Sequence, residues 1–494
     1  MNVKVRPLTT AEARPVASPS GQAVHSVRNT AGPEVKSRWK RWRSHSCHSS
    51  PDFRVIRFAV ASRVTVIILS VLSDWTIPDH EPDPSVARLR VSGWLSAFTR
   101  WDAARFTAIG MEGYMHEEDY AFMPVLPMAI SISARAAGAV FPLSGPEHFV
   151  VMGLLITNGC FVLAAWLLYR LGLVMLQDQL LAFRSAIVFC LSPANVFFSS
   201  VYTESPFAAC CFGGLLLQEL NRPLQGAILF GIGTGLRSNG ILNAGFLLYQ
   251  CLHVTLQDMQ KGTGLLQTLL ANTRKHVLLT LGVAISIGPF LAFQVYAIQK
   301  ECYAQGVQGG CGETDEAGQC SLSEQAEQPP AWCQASFPSV YLHVQKKYWQ
   351  GGMFCYWQLK QAPNFLLAAP ALALTALGVH HILRDFCKQL RFWKREEDLR
   401  PQRTAFSSLC RAMRLCPLLP HALHWGFLAA YLFLCANVQI ATRVLGSGCP
   451  IFHWFLASLL FSRNSSKTPW LLKCYVGTFN CLGLIMHPNF LPWT

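Results

Sequence analysis

Acidic side chains are scarce in this sequence, and one group of them stands beside long apolar runs. Asp102 follows Trp101 in RWDAARFTAIGMEGYMHEEDY, a stretch that also contains Glu117. Burial beside aromatic rings makes a carboxylate more basic, and such a carboxylate can take a proton from a hydroxyl nucleophile. The pattern therefore predicts a general base, and the alternative for Asp102 is a solvated loop acid or a helix cap.

Asp79 is a second candidate for the same role. It stands in IPDHEPD, directly after the apolar run Phe58–Ile77. A carboxylate at that exit point meets the same mixture of water and apolar surface as Asp102. The residues alone leave open whether one or both act as the base.

Three more ionisable residues interrupt apolar stretches: Glu204 in VYTESPFA, Arg237 in GLRSNG and Arg443 in ATRVLG. A charge at membrane depth is a functional candidate by default. A guanidinium group also holds phosphate through two parallel hydrogen bonds. The alternative for the arginines is a side chain that reaches from a helix end to the membrane surface.

The elements that position these residues are predicted to be transmembrane helices. Hydrophobic residues make up 51% of the 494 positions and charged residues only 14%. Several apolar runs approach or exceed the roughly 20 residues that cross a bilayer. The clearest are Phe58–Ile77, His148–Leu176, His276–Ile298, Ala362–His380 and Phe427–Val444. These runs predict an all-α polytopic membrane protein.

Clustered basic residues orient the predicted helices. The net charge of +14 is concentrated in KSRWKRWR, before the first run, and in the segment 384–414. Such clusters mark cytoplasmic segments, so residues 1–52 are predicted to be a disordered cytosolic tail and 384–414 a cytosolic loop. No basic patch is interleaved with aromatic residues, and nucleic acid is not an expected partner.

This orientation predicts luminal loops at 78–147 and 299–361, with Tyr120–Phe141 as a juxtamembrane helix. An even number of crossings must separate the two loops. Six are predicted: His148–Leu176, Ser185–Val201, Ser205–Leu220, Leu224–Leu236, Gly240–Leu252 and His276–Ile298. Phe427–Val444 then leads to a luminal segment with the glycosylation sequon at Asn464, and Leu471–Met486 is the last crossing.

The predicted loop 299–361 is also rich in cysteine, with Cys302, Cys311, Cys320, Cys333 and Cys355. Disulfides persist in oxidising compartments, but the first four of these cysteines already allow three pairings, and the spacing does not choose among them. No CxxC pair, HExxH, GxGxxG, Walker A or GxSxG motif occurs in the chain. A metal or nucleotide site is therefore not expected.

Several longer motifs identify a resemblance. They are RWDAARFTAIGMEGYMHEEDYAFMP, LSPANVFFSSVYTESPFA, GLRSNG, QLKQAPNFLLAAP, NVQIATRVLGSGCPIFHWF and NFLPWT. In this order, over about residues 53–494, they closely resemble the PIG-V family of glycosylphosphatidylinositol (GPI) mannosyltransferases. Phe122-Met123-Pro124 departs from the family pattern, which usually has two aromatic residues before the proline.

The resemblance implies a GT-C type helix bundle in the endoplasmic reticulum membrane, with a luminal active site. It implies transfer of an α1,6-linked second mannose from dolichyl-phosphate mannose to the GPI precursor. No cofactor is implied beyond this lipid-linked donor, and a small membrane partner subunit is compatible with it. The alternatives are another dolichyl-phosphate-sugar transferase and a lipid transporter or scramblase.

The resemblance also assigns roles to the candidate residues. Asp102 is favoured as the base, with Asp79 second, because the match is denser around Trp101. Residues predicted to bind substrate are Trp101, Glu117, Glu204, Arg237 and Arg443. The match further implies a Cys302–Cys333 disulfide, with Cys311–Cys320 as a local second bridge.

Overall fold

The computed structural model describes residues 51–81, 89, 91, 93–140, 145–259, 273–303, 330–398, 405–462 and 467–493. Every regular element within these residues is helical, which confirms the predicted all-α class. The α-helices are α1 (Pro51–Thr76), α2 (Asp102–Glu112), α3 (Val125–Val140), α4 (Pro146–Leu176), α5 (Gln179–Cys190), α6 (Glu204–Glu219), α7 (Pro223–Leu236), α8 (Ala244–Met259), α9 (Thr273–Ile298), α10 (Val340–Trp349), α11 (Ala362–Asp398), α12 (Ala405–Leu415), α13 (Leu419–Cys435), α14 (Ala441–Gly448), α15 (Pro450–Leu460) and α16 (Lys467–Met486). The predicted basic tail lies almost wholly outside the described residues.

The longest helices are long and apolar enough to cross a membrane. In the described residues, four helical segments meet this criterion: Pro51–Thr76, Pro146–Leu176, Thr273–Tyr303 and Leu359–Arg395. They contain the predicted runs that begin at 58, 148, 276 and 362, apart from the last residue of the first run. A fifth candidate is the pair α12 and α13, which is bent by 82°. The protein is therefore a multi-pass membrane protein.

Contacts between helices define the two ends of the bundle. Asp52, at the start of α1, pairs with Arg170 near the end of α4 at 3.3 Å. Asp74, near the end of α1, pairs with Arg100, two residues before Asp102, at 2.7 Å. Helices α1 and α4 consequently run in opposite directions, and we call the two ends of the bundle the Asp52 end and the Asp102 end.

Helix α5 is shorter than the predicted crossing Ser185–Val201, because it ends at Cys190. Pro193 lacks a backbone N–H and restricts the residue before it, which stops a helix. Residues 191–203 therefore form turns and bends. The chain still reaches the start of α6 as predicted, but it does so through successive turns with a few local backbone hydrogen bonds, such as Ser200 N–H to the carbonyl of Val196 at 3.0 Å, and not through a continuous helix.

Arg63 in α1 stabilises this non-helical segment. Its side chain is 3% exposed and donates to the carbonyl of Asn195 at 3.1 Å and to Ser199 Oγ at 2.8 Å. Irregular backbone at membrane depth must find polar partners inside the protein. The segment held in this way delivers Glu204 to the Asp102 end.

The predicted crossing Phe427–Val444 is wrong in its second half. Helix α13 ends at Cys435, a short break follows, and α14 begins a new direction at Ala441. Asn437 and Gln439 in the break are polar and interrupt the apolar run. The apolar composition concealed this break, and with it the return of the chain through α14 and α15.

Helix α15 carries the chain back to the Asp52 end. Phe461, which follows α15, packs under the guanidinium of Arg184 at 4.6 Å. Arg184 belongs to α5, which begins directly after the Asp52-end terminus of α4. Arg443, directly before the predicted segment 444–470, pairs with Asp102, whereas Phe461 lies at the Asp52 end. The segment therefore does not stay on the side of the luminal loops as predicted, since α15 leads from the Asp102 end to the Asp52 end. Asn464 itself lies outside the described residues.

Two other predicted segments differ in form. The basic segment 384–414 is largely helical, since α11 continues to Asp398 and α12 covers Ala405–Leu415. Helix α3 confirms the helix predicted at 120–141, although it is packed into the bundle: Leu126 and Ile130 are completely buried.

Candidate active site

Asp102 is the first residue of α2, and Trp101 before it has a φ of 57°. Positive φ is uncommon for a bulky residue, so the turn into α2 is held by its surroundings. Asp102 Oδ2 accepts hydrogen bonds from both Nη1 and Nη2 of Arg443, at 3.1 Å each. Its side chain is 33% exposed, and Oδ1 has no hydrogen-bond partner among the described contacts. One carboxylate oxygen therefore faces open space.

Glu204 joins the two predicted arginines. It begins α6 and is completely buried. Its Oε1 lies 2.5 Å from Nη1 of Arg237, at the end of α7, and 3.7 Å from Nε of Arg443, in α14. Arg237 also donates to Thr203 Oγ1 at 3.3 Å. With Asp102, the cluster contains two carboxylates and two guanidiniums, and its formal charge is zero.

These side chains line one cavity at the Asp102 end, with a volume of about 430 Å³. This is the size range of small-molecule sites. Its charged wall is formed by Asp102, Glu204, Arg237 and Arg443, and its aromatic residues include Trp101, Phe106, Tyr202, Trp349, Tyr431 and Trp493. Such a cavity can hold an anionic group on the arginines and sugar rings on aromatic faces.

Helix α10 forms a wall that was not predicted to belong to the site. Tyr341, Gln345 and Trp349 all line the cavity, and their spacing of four residues places them on one helix face. Tyr341 Oη lies 2.5 Å from Ser238 Oγ, next to Arg237. The spacing was visible in VYLHVQKKYW, but nothing in the sequence marked that segment as facing the site.

Glu117 holds α10 in place and is absent from the cavity wall formed by the described residues. Its carboxylate accepts from His343 at 2.9 Å, Lys347 at 2.5 Å and Tyr348 at 2.8 Å. Burial raises the pKa of Glu117, but the hydrogen bonds from Lys347 and Tyr348 outweigh it and lower the pKa overall. The predicted contact between Glu117 and substrate is not supported by this geometry.

The disulfide between Cys302 and Cys333 anchors the same wall. The two Cα atoms are 5.8 Å apart, and the bond connects the end of α9 to the segment before α10. The pairing implied by the resemblance is therefore present in the structure. Cys311 and Cys320 lie outside the described residues.

Asp79 is 43% exposed and pairs with Arg100 at 2.9 Å. Burial raises its pKa above the ordinary aspartate value, although the charge of Arg100 works in the opposite direction. It is not among the described residues that line the cavity. The structure thus places the two candidate bases differently, with Asp102 at the cavity and Asp79 beside it.

Other lining residues were missed by the sequence reasoning, among them Tyr202 and His487. Tyr202 lies in LSPANVFFSSVYTESPFA, and His487 lies two residues before NFLPWT, so both were within or beside noted motifs. Within the described residues, no group of three His, Cys, Asp or Glu side chains is arranged to hold a metal ion. The cations that face the cavity are arginines.

Comparison with known proteins gives the family. A family model described as Mannosyltransferase (PIG-V) matches residues 52–494. The GPI alpha-1,6-mannosyltransferase 2 of Rattus norvegicus is 32% identical, with 89% of this chain and 98% of that protein covered. The human protein of the same name is 30% identical, and the Drosophila melanogaster GPI mannosyltransferase 2 is 27% identical. These alignments cover 89% of this chain and 98% and 99% of those proteins.

Among solved structures, the apo form of the Archaeoglobus fulgidus oligosaccharyltransferase is similar at a TM-score of 0.37 and 14% identity. The alignment covers 87% of this chain, which spans 55% of that longer chain. A likeness at this level carries no argument about the site. The family model, by contrast, covers residues 52–494, and this chain belongs to the PIG-V family of mannosyltransferases.

Proposed function

We propose that this protein transfers a mannose in α1,6 linkage from dolichyl-phosphate mannose to the first mannose of a GPI precursor. The reaction takes place on the luminal side of the endoplasmic reticulum, in a GT-C type helix bundle. The names of the relatives support the acceptor and the linkage. The observation that carries the proposal is that Asp102, Arg237 and Arg443 line one cavity at one end of a membrane bundle.

The reaction is a single displacement with inversion. Asp102 takes the proton from the acceptor hydroxyl, and the hydroxyl oxygen attacks the anomeric carbon of the donor from the face opposite the phosphate. The carbon–oxygen bond to phosphate breaks, and dolichyl phosphate leaves with the electron pair. Because phosphate is a good leaving group, no acid catalyst is required, unlike the paired carboxylates of glycosidases. The proton on Asp102 then returns to solvent.

The arginines stabilise the departing phosphate. Positive groups aimed at the place where negative charge develops are among the strongest contributors to catalysis. Without substrate, Arg443 is held by Asp102 and Glu204, and Arg237 by Glu204. A phosphate that enters the cavity takes hydrogen bonds from the guanidinium N–H groups that the carboxylates leave unused.

Asp102 is better placed as the base than Asp79. Asp102 lines the cavity, and its Oδ1 accepts no hydrogen bond from the described residues. Asp79 lies beside the cavity, where it is paired with Arg100, which is in turn paired with Asp74. A base that must contact the acceptor hydroxyl while the donor phosphate is bound by the arginines has to lie in the cavity wall, as Asp102 does.

The disulfide supports the luminal placement of the site. Cys302–Cys333 lies at the Asp102 end, since Lys300 beside it donates to the carbonyl of Tyr114 and Trp332 packs against His343 at 6.2 Å. Disulfides persist in oxidising compartments. The end of the bundle that carries the cavity is therefore the end expected to face the lumen.

Complementation tests the proposal. The chain is expressed in cells that lack the second GPI mannose, and surface GPI-anchored proteins are counted by flow cytometry. We expect rescue by the unchanged chain and by Asp79→Asn. Asp102→Asn should reduce mannose transfer in isolated membranes by about two orders of magnitude or more, the range for loss of a general base.

Protein abundance, measured in the same membranes, serves as the control. Dolichyl-phosphate mannose and GDP-mannose are compared as donors in membranes that cannot interconvert them. No rescue by the unchanged chain, or transfer from GDP-mannose alone, would contradict the proposed function. Full activity of Asp102→Asn would contradict the assigned base.

A further inference from the structure

His487 is a buried histidine that the proposed reaction does not yet use. It follows α16, has no exposed surface and lines the cavity. Within the described part of the chain, neither Nδ1 nor Nε2 has a hydrogen-bond partner. His453, by comparison, is equally buried, but its Nε2 bonds the carbonyl of Gly446 at 2.7 Å. Buried polar groups are ordinarily hydrogen-bonded, and a group that enters the cavity can supply the partner that both nitrogens of His487 lack.

The segment that carries His487 is held firmly. Arg100 Nε donates to the carbonyl of Pro488 at 2.8 Å, and Asn489 Nδ2 donates to Ser73 Oγ at 2.9 Å. Phe490 has a φ of 56° and lies under the guanidinium of Arg100 at 4.4 Å. Strain of this kind persists only where the surroundings determine it, and it concentrates at functional sites. The imidazole is therefore fixed in position before any ligand arrives.

The surroundings of His487 are aromatic and positively charged. Its ring packs against Phe197 at 5.2 Å and Tyr202 at 5.6 Å. Burial lowers the pKa of His487, and the positive charges of Arg443 and Arg100 lower it further. Burial and neighbouring cations both disfavour an imidazolium, so the ring is neutral and offers one N–H donor. A neutral donor among cations is suited to an anionic oxygen.

We propose that His487 is a substrate-binding residue whose ring N–H donates a hydrogen bond to a phosphate oxygen of the lipid-linked donor. This inference rests on the proposed function and extends it, since it adds a third phosphate ligand beside Arg443 and Arg237. The residue comes from a segment about 40 positions after Arg443. The donor phosphate thus joins α14 to the segment after α16.

The test compares His487→Leu, which removes the donor, with His487→Gln, which keeps an N–H. His421→Gln is the matched control, because His421 is 3% exposed and absent from the described cavity wall. Mannose transfer is measured in purified membranes, with dolichyl phosphate and inorganic phosphate as separate inhibitors. The KM values for donor and acceptor are determined separately.

We expect His487→Leu to raise the donor KM and the dolichyl phosphate inhibition constant about three- to tenfold, as for loss of one hydrogen bond. The acceptor KM should stay unchanged, and His487→Gln should recover most of the donor affinity. If the inhibition constant of inorganic phosphate rises by the same factor as that of dolichyl phosphate, His487 binds phosphate in general, and the proposed contact is supported. Unchanged dolichyl phosphate inhibition in His487→Leu, or an effect confined to the acceptor KM, overturns it.

A second measurement uses the unchanged protein and so does not depend on whether the variants accumulate. In an electron cryomicroscopy structure with dolichyl phosphate, a ring nitrogen of His487 should lie within about 3.2 Å of a phosphate oxygen. A larger separation, or a water molecule as the sole partner, refutes the proposal. If the unchanged chain transfers no mannose at all, the proposed function is wrong. If His487→Leu transfers mannose and binds dolichyl phosphate like the unchanged chain, only the inference about His487 is wrong.

Discussion

Replacing Glu204 by glutamine tests the charge balance of the site directly. Glu204 is completely buried, and one of its oxygens faces both Arg237 and Arg443. Glutamine keeps the shape and one acceptor oxygen but removes the negative charge. The cluster then carries two guanidiniums against Asp102 alone, so its formal charge changes from zero to +1.

The expected cost follows from this arrangement. Removing one partner of a buried ion pair destabilises a protein by about 3–5 kcal/mol, because the remaining charge is left uncompensated. Glutamine keeps a polar oxygen beside Arg237, and Arg443 keeps its two bonds to Asp102. We therefore expect a loss near the lower limit, about 3 kcal/mol.

The assay heats samples of the detergent-solubilised protein to a series of temperatures. The fraction that remains folded at each temperature is then measured by size-exclusion chromatography with fluorescence detection. Glu112→Gln is the matched control, since Glu112 is exposed and should change stability by about 0.5 kcal/mol or less. Adding Arg237→Gln to Glu204→Gln removes the surplus cation and should recover part of the loss, as a double-mutant cycle would show. If Glu204→Gln unfolds like the unchanged chain, or if the second substitution only adds to the damage, Glu204 does not neutralise these arginines.

Three further predictions concern Arg237, Glu117 and Asn464. Arg237→Lys keeps the charge but loses the planar fork, so mannose transfer should fall, and Arg237→Ala should fall further at equal protein abundance; normal transfer by Arg237→Ala would remove it from the phosphate site. The lowered pKa of Glu117 means that its contacts stabilise the fold above the ordinary glutamate value of 4.5 and are lost as the pH falls through the folded-state value. Glu117→Gln should accordingly lower the free energy of unfolding at pH 7, by less than about 1 kcal/mol for partly exposed ion pairs, and match the unchanged chain once the pH lies below the lowered pKa of Glu117; a difference that persists there would contradict the assignment. Finally, Phe461 lies at the Asp52 end, so an endoglycosidase should not change the mobility of the unchanged chain, and a shift abolished by Asn464→Gln would reverse the orientation of α15.

Long apolar helices were predictable because composition and length alone decide them. The runs beginning at His148 and His276 became α4 and α9 with only small changes at their ends. The run Phe427–Val444 failed for the same reason, since hydropathy reports apolar content and not direction. The break at 436–440 depends on Asn437 and Gln439 facing a cavity that no local pattern describes.

The charged part of the site was also predictable. Glu204, Arg237 and Arg443 were selected because an ionisable residue in an apolar run is costly and needs a reason, and Asp102 was selected as a loop carboxylate beside an aromatic residue. All four share one cavity. Glu117 stands in the same acidic stretch as Asp102, yet it pairs with α10 instead. Which carboxylate meets which cation depends on packing between helices distant in the chain, and sequence spacing does not contain that information. His487 and Tyr341 escaped notice because a single neutral residue in an apolar context has no comparable signal.

The Cys302–Cys333 bond has a consequence for how the chain tolerates changes in length. It joins two points 31 residues apart in the sequence whose Cα atoms are 5.8 Å apart, so α9 and α10 are connected at their bases independently of residues 304–329. Doubling the length of a closed segment costs only about 0.6 kcal/mol in closure entropy. Insertions or deletions between the two cysteines should therefore leave the positions of α9 and α10 unchanged, and we expect the protein to tolerate a reporter sequence inserted there.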